Sequence, residues 1–191
     1  MKRFKCTESF TERGKWKNVM KTDDFKKDVS LAVKGDAQAF SRLYALVYEE
    51  MYRTAFFSLR NEHDAADAVS ETVLDAFSSI KKLRSEDAFR SWIFKILMAK
   101  IKRKQQEYAN APSDISEPEY EKVLQSEFKF EHVELAQAMY RLDDEERVIL
   151  SLSVLSGYTG DEIAKICGIK SSTVRSKLMR TKEKLRSYIT A

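Results

Sequence analysis

The segment "TGDEIAKICGIKSSTVRSKLMRTKEKLR" near the C-terminus constrains the fold of this chain more than any other stretch. Ala164, Gly168 and Val174 stand at positions i, i+4 and i+10. This spacing is typical of a helix-turn-helix, in which a small residue lets two helices cross and a glycine accepts the left-handed backbone of the turn. Thr159 and Glu162 also have the spacing of a capping box at the start of the first helix.

The second helix of this segment has an apolar side and a basic outer side. We expect Ser171 to cap it, and we expect its buried seam to consist of Val174, Leu178, Thr181 and Leu185. Six side chains on or near the opposite face can reach base edges and phosphates in a major groove. They are Ser172, Thr173, Arg175, Ser176, Lys177 and Arg180. From Gly168 onward there are seven Lys or Arg and one acid. A hairpin that only packs a core usually mixes charge signs, so this pattern favours a polyanion partner.

Composition indicates the all-α class. The chain has 191 residues, of which 43% are apolar, with only five Gly and two Pro, and its apolar residues mostly recur at helical spacing. No apolar segment is long enough to span a bilayer, and the N-terminus lacks the apolar stretch of a signal peptide. The two cysteines, Cys6 and Cys167, predict neither a disulfide framework nor a zinc site. We therefore expect a cytoplasmic protein that needs no cofactor or metal.

The distribution of charge predicts two small helical domains. Residues 95–104 carry five cations and no acid, whereas residues 107–131 carry seven acids and two lysines. Both prolines fall in the acidic stretch, which favours a flexible acidic linker over residues 106–128. The domains would then span residues 24–105 and 129–191, the second with four helices. Residues 1–23 would be a disordered extension. Its first 19 residues fit a DNA-contacting arm, a disordered leader, or residues ahead of a natural start at Met20.

The first domain contains three amphipathic segments. They are "AFSRLYALVYEEMYRTAFFSL", "DAADAVSETVLDAF" and "DAFRSWIFKILMAKIKRKQQE". We expect the middle segment to form a helix that begins at Asp64 and that faces Phe77 inward. This segment has an acidic stripe at i, i+3, i+7 and i+11. The stripe consists of Asp64, Asp67, Glu71 and Asp75. The third segment starts with aromatic residues and ends with cations. Its aromatics fit either a core or a platform for single-stranded nucleic acid.

These three segments and "LDDEERVILSLSVLSGYTGDEIAKICGIKSSTVRSKLMRTKEKLR", in this order, resemble one bacterial family over roughly residues 24–188. The family is the extracytoplasmic-function sigma factors, the two-domain group of RNA polymerase sigma subunits. Its docking motif reads Asp-Ala-Glu-Asp-Leu-Val-Gln-Glu. Here Ala66 and Ser70 replace the middle acid and the glutamine, and Ala99 stands where the third helix normally has an asparagine.

The resemblance implies a function for each segment. The acidic stripe would dock on the coiled coil of the largest polymerase subunit. The third helix and the loop over residues 83–87 would open the minus-ten element and hold a flipped base. The residues implied in opening are Arg84, Ser85, Trp92, Lys95, Lys100 and Arg103. The helix-turn-helix would read the minus-thirty-five element, and the linker would thread the RNA exit path. Because docking and opening use different helices, we expect them to be independent.

The implied partners are the polymerase core, promoter DNA and an anti-sigma factor. The alternative is a helix-turn-helix regulator that reads an operator without polymerase, with the first domain serving for dimerisation. An enzyme is not indicated, because the sequence has no catalytic carboxylate pair, metal cluster, nucleophile triad or phosphate-binding glycine loop.

Overall fold

The regular structure of the chain is helical throughout the part that the computed structural model describes, namely Val19, residues 22–110 and residues 133–190. The first domain contains α1 (Asp23–Val33), α2 (Ala37–Leu59), α3 (Glu62–Ser79) and α4 (Phe89–Asn110), with 3-10 turns at Ile80–Lys82 and Glu86–Ala88 between α3 and α4. The second contains α5 (Val133–Tyr140), α6 (Asp144–Val154), α7 (Gly160–Cys167) and α8 (Ser171–Thr190). The predicted fold class is thereby confirmed. None of the helices described has the length and apolar character needed to cross a membrane.

Side-chain caps decide where the helices of the first domain begin. Asp36 accepts hydrogen bonds from the backbone N–H groups of Gln38 and Ala39, both at 2.9 Å, at the start of α2. Asn61 accepts one from the Asp64 N–H at 3.0 Å at the start of α3. The prediction that this helix begins at Asp64 is therefore wrong by two residues, because Asn61 satisfies a free N–H of the first turn.

The core of the first domain lies under the apolar stripe of α2. Phe40, Leu43, Val47 and Met51 are all buried, as the periodicity predicts. Phe77 of α3 does not follow the predicted pattern, since 46% of it is exposed; its ring forms a T-shaped pair with that of Phe40, with centroids 5.2 Å apart. The expectation that it faces inward is wrong because the preceding alanine occupies the core-facing position of that turn.

The described ends of the domain differ slightly from the predicted boundaries. Helix α4 continues to Asn110, five residues past the expected end of the domain at 105. Helix α1 begins at Asp23, and Phe25 is its first buried residue. Of the predicted extension over residues 1–23, residues 1–18, 20 and 21 lie outside the described residues, as do residues 111–128 of the predicted linker.

The helix-turn-helix has the local geometry that its sequence predicts. Thr159 and Glu162 form a reciprocal capping box, with the Thr159 N–H donating to the Glu162 carboxylate at 2.7 Å. Gly168 adopts a φ of 70°, and its N–H donates to the Ala164 carbonyl. Val174 is fully buried against this pair of helices.

Ser171 has a different role from the predicted cap. It is the first residue of α8, and the carbonyl before it, of Lys170, accepts from the Val174 N–H at 3.1 Å. The Ser171 hydroxyl donates instead to the Asp161 carboxylate of α7. The side chain therefore ties the two helices of the hairpin together.

The two domains pack directly against each other. Helix α2 contacts α6, and α4 contacts α7. The Arg90 guanidinium donates to the Glu50 carboxylate and to the carbonyl of Ser156 in the second domain. Thr54 and Ser156 share a hydrogen bond of 3.0 Å between their hydroxyl oxygens. The ring of Tyr158 lies 4.1 Å from the guanidinium carbon of Arg90, and burial raises the pKa of this tyrosine well above its usual value.

Candidate nucleic-acid interface

Most of the predicted reading surface on the outer face of α8 is left exposed by the described residues. Ser172, Arg175, Ser176 and Arg180 are exposed, whereas Thr173 and Lys177 are half-buried. Lys177 donates to the Glu145 carboxylate of α6 at 2.6 Å, which holds its ammonium at the edge of the face. Side-chain groups that can donate to bases and phosphates therefore point away from the domain.

Met179 was missed by the sequence analysis. It is 61% exposed and lies at i+7 from Ser172 and i+3 from Ser176, in the middle of the reading face. A large apolar side chain in this position suits contact with the methyl group of a thymine. The signal was available in the sequence, because the same helical spacing that selects Ser172 and Ser176 also selects position 179.

The acidic stripe of α3 is largely occupied by cations of α4. Arg103 donates to both carboxylate oxygens of Glu71 at 2.7 Å, and Lys100 lies 2.5 Å from Asp75. The hydrogen bond from Arg103 is the main cause that lowers the pKa of Glu71. The hydrogen bond to Asp75 likewise raises the pKa of Lys100.

Asp64 and Asp67 lie in contrasting surroundings at the start of the same stripe. The Asp64 carboxylate is half-buried and accepts from the Lys104 ammonium at 2.7 Å and from the Tyr108 hydroxyl. Burial acts to raise the pKa of Asp64, but these two hydrogen bonds lower it overall. Asp67 is exposed and forms no ion pair within the described parts of the chain. It is the member of the stripe most open to a partner.

The docking and opening surfaces are not spatially separate, although they lie on different helices, and the independence of the two functions stays a prediction. Lys100 and Arg103 were assigned to strand opening, and Glu71 and Asp75 to docking, yet the structure joins them in ion pairs. The physical reason is the packing of α3 beside α4, which brings the acidic edge of one helix against the basic edge of the other. Substituting one of these four paired residues therefore also removes an ion-pair partner from the other surface.

The six residues assigned to opening fall into two places. Trp92, Lys95, Lys100 and Arg103 line a shallow groove on α4 that Asp75 closes on one side. Arg84 and Ser85 instead line a cavity of about 200 Å³ between the loop after α3 and helix α1. The family resemblance implies a pocket at this loop, but no sequence pattern predicts that α1 supplies the opposite wall, formed by Val29, Ser30, Val33 and Lys34.

Both domains match regions of one protein family. Residues 40–107 match the family described as Sigma-70 region 2, and residues 132–185 match Sigma-70, region 4. The two matches together cover more than half of the chain, in the order that the sequence resemblance implies.

Curated relatives of the whole chain are of the same kind. The RNA polymerase sigma factor SigV of Bacillus subtilis is 28% identical over 148 residues, which are 74% of this chain and 86% of SigV. The ECF RNA polymerase sigma factor SigM of Mycobacterium tuberculosis is 26% identical over 156 residues, which are 80% of this chain and 78% of SigM.

Solved structures share the fold. CnrH, in complex with the cytosolic domain of CnrY, superposes with a TM-score of 0.68 at 20% identity, covering 88% of this chain and 98% of CnrH. The sigma factor RpoE of Bartonella quintana, in complex with the anti-sigma factor NepR, superposes with a TM-score of 0.66 at 16% identity, covering 81% and 99%. With both sigma regions matched in order and with relatives of one kind along its length, this chain belongs to the ECF sigma factors, which direct RNA polymerase to initiate transcription at specific promoters.

Proposed function

We propose that this sigma factor reads the upstream promoter element with the outer face of α8 and opens the downstream element with its first domain. The observation that carries the proposal is the reading face itself, where Arg175, Ser176, Arg180 and Met179 are all exposed on one side of α8. Such a face offers donors for base edges and phosphates together with an apolar contact for a thymine methyl. A helical hairpin that served only to pack a core would have no need of it.

The α3 edge is the proposed docking surface for the coiled coil of the largest polymerase subunit. Asp67 is available to a cationic partner, whereas Glu71 and Asp75 must exchange their α4 cations for those of the partner. Such an exchange is feasible because exposed ion pairs contribute little net stability. The exposed Leu74, on the same side of α3, adds apolar area to this surface.

The proposed function also requires the two domains to separate. Elements near minus ten and minus thirty-five lie about 25 base pairs apart, or roughly 85 Å at 3.4 Å per pair. A compact chain of 191 residues has a radius of gyration of only roughly 16 Å. We therefore propose that the Arg90 contacts to Glu50 and Ser156 hold a resting form, which opens when the protein binds polymerase and promoter.

An anti-sigma factor is a further proposed partner. The two structures of similar fold are both complexes, one with the cytosolic domain of CnrY and the other with the anti-sigma factor NepR. A partner that prefers the packed form of the two domains would oppose opening by population shift. The proposed place of action is the cytoplasm, where polymerase meets the chromosome.

Run-off transcription with purified polymerase core and a genomic fragment library tests the proposal. We expect transcripts that depend on this protein and that share two sequence elements upstream of their starts. Arg175→Ala protein should lose specificity at one base pair of the upstream element, while a matched change at the exposed Lys165, on the first helix of the hairpin, should not. Absence of any transcript that depends on the protein would contradict the proposal.

Opening is tested by permanganate footprinting of unpaired thymines. Holoenzyme that carries Lys95→Ala should bind promoter DNA but show weaker thymine reactivity, and a template with a pre-melted bubble should restore transcription. Lys95 is the suitable target because it is exposed and has no ion pair in the described part of the chain. Normal thymine reactivity in this variant would remove the α4 groove from the opening step.

A further inference from the structure

The cavity between α1 and the loop after α3 combines three kinds of surface. Val33 and Leu83 supply half-buried apolar walls, and Lys34 and Arg84 supply exposed cations. Glu86 supplies a single carboxylate at the same cavity. A nucleotide has three matching parts, namely the flat faces of the base, the phosphate and the hydrogen-bonding edge of the base.

Glu86 is held in one orientation from across the cavity. The Ser30 hydroxyl of α1 donates to the Glu86 Oε1 at 2.7 Å, and this contact joins residues that are 56 positions apart in the sequence. A carboxylate can accept about four hydrogen bonds, so one hydroxyl leaves most of its acceptor capacity available. Glu86 forms no ion pair in the described part of the chain. Its carboxylate is thus oriented by Ser30 but is not paired with a cation of the described residues.

A carboxylate is unexpected in a cavity that binds DNA, because DNA is itself negatively charged. Lys81 and Lys82, on the turn before the loop, are exposed like Lys34 and Arg84, so the surrounding charge favours phosphate. A carboxylate in that setting repels phosphate, so DNA can approach its oxygens only with hydrogen-bond donors. The donors that single-stranded DNA offers are the N–H groups of the base edges.

We propose that Glu86 selects an unpaired base that carries an exocyclic amino group, and that Ser30 is the residue that positions it. The proposal rests on the function given above and specifies the base that its opening step captures. Cytosine, adenine and guanine each present an amino group as donor. Thymine instead presents its N3–H between two carbonyl oxygens, which repel a carboxylate. The cavity should therefore accept amino-bearing bases and disfavour thymine.

The test uses holoenzyme and templates with a pre-melted bubble. Each position of the non-template strand in the bubble carries cytosine, adenine, guanine or thymine in turn, and the affinity of holoenzyme for each template is measured. At one position, wild-type protein should prefer an amino-bearing base to thymine by about tenfold, the effect typical of a lost hydrogen bond to a charged group. Replacing adenine by purine at that position removes only the amino group and should cause a similar loss.

Substitutions of Glu86 and Ser30, each with a control, assign the base preference to these two residues. Glu86→Gln should reduce the preference to within about threefold, because a carboxamide donates as well as accepts. Glu49→Gln is the matched control, since Glu49 is exposed on α2 and lies in none of the proposed interfaces, and it should keep the wild-type preference. Ser30→Ala should reduce the preference partway, and Ser30→Thr, which keeps the hydroxyl, should restore it.

The ratio of affinities between bases distinguishes a positioning role of Ser30 from a purely structural role. A purely structural role for Ser30 would lower the melting temperature or the overall activity of Ser30→Ala without changing the ratio between bases. Equal preference in wild type, Glu86→Gln and Ser30→Ala would overturn the inference while leaving the proposed function intact, provided that the holoenzyme still opens its promoters. Failure of the wild-type protein to support any transcription would overturn both.

Discussion

Replacing Arg90 by methionine tests whether the two domains are held together as the structure has them. Arg90 and Glu50 are 7% and 8% exposed, and the guanidinium also donates to a carbonyl of the other domain. Removing one partner of a buried ion pair typically costs about 3–5 kcal/mol. Separation of the domains relieves this cost, because it returns the Glu50 carboxylate to water. We therefore expect Arg90→Met protein to leave the packed form.

Small-angle scattering measures whether the domains separate, and urea unfolding measures whether they unfold together. The radius of gyration of Arg90→Met protein should exceed that of the wild type, and the two domains should unfold in separate transitions. Arg42→Met is the matched control, because Arg42 also pairs with a carboxylate, Asp28, but on the exposed surface of one domain. The control should change neither observable.

The functional consequence can be measured in the same samples. If the packed form competes with polymerase binding, Arg90→Met should bind polymerase core more tightly than the wild type, since less of it is in the incompetent state. The double variant Arg90→Met/Glu50→Met should unfold at higher urea than Arg90→Met alone, because neither charge of the pair is then left buried without the other. A radius of gyration equal to that of the wild type, together with an unfolding free energy within about 1 kcal/mol of it, would refute the reasoning.

Three further predictions concern the second domain. Gly168→Ala should destabilise that domain by about 1 kcal/mol in thermal melting, because alanine disfavours the positive φ of 70° there, whereas Gly160→Ala meets only ordinary contacts and should not. Arg175→Ala should cost about 1–3 kcal/mol of binding free energy at one base pair of the upstream element, whereas Lys182→Ala should weaken binding to all sequences alike. If both variants behave identically in DNA-binding titrations, the proposed docking of α8 is excluded. Burial raises the pKa of the Cys167 thiol to about 11. In a Cys6→Ser variant, alkylation of Cys167 at pH 8 should therefore be about two orders of magnitude slower in the folded protein than after unfolding. Equal rates would contradict this burial.

Local features of the sequence were sufficient to predict the helices and the hairpin. The capping box of Thr159 and Glu162, the turn at Gly168 and the buried seam around Val174 each depend on residues within a few positions of one another. Helical periodicity also located the core stripe of α2. Such features follow from hydrogen bonds and side-chain spacing along a single helix, and they can be recognised before any tertiary contact is known.

Predictions failed where two elements share a boundary. Phe77 has helical spacing for the core, yet it is 46% exposed because Ala76 takes the core-facing position of that turn. The stripe that includes Glu71 resembles a free acidic surface in the sequence. Its pairing with Arg103, 32 residues away, depends on which edges of α3 and α4 meet.

The sequence alone determined the fold class, the position of the helix-turn-helix and the family, because these depend on local patterns and on their order along the chain. Only the tertiary structure decided that Ser30 meets Glu86 across a cavity, and that Arg90 joins the two domains. Contacts of this kind depend on the crossing angles and separations of helices, which many side chains set together. No single residue or spacing in the sequence encodes them.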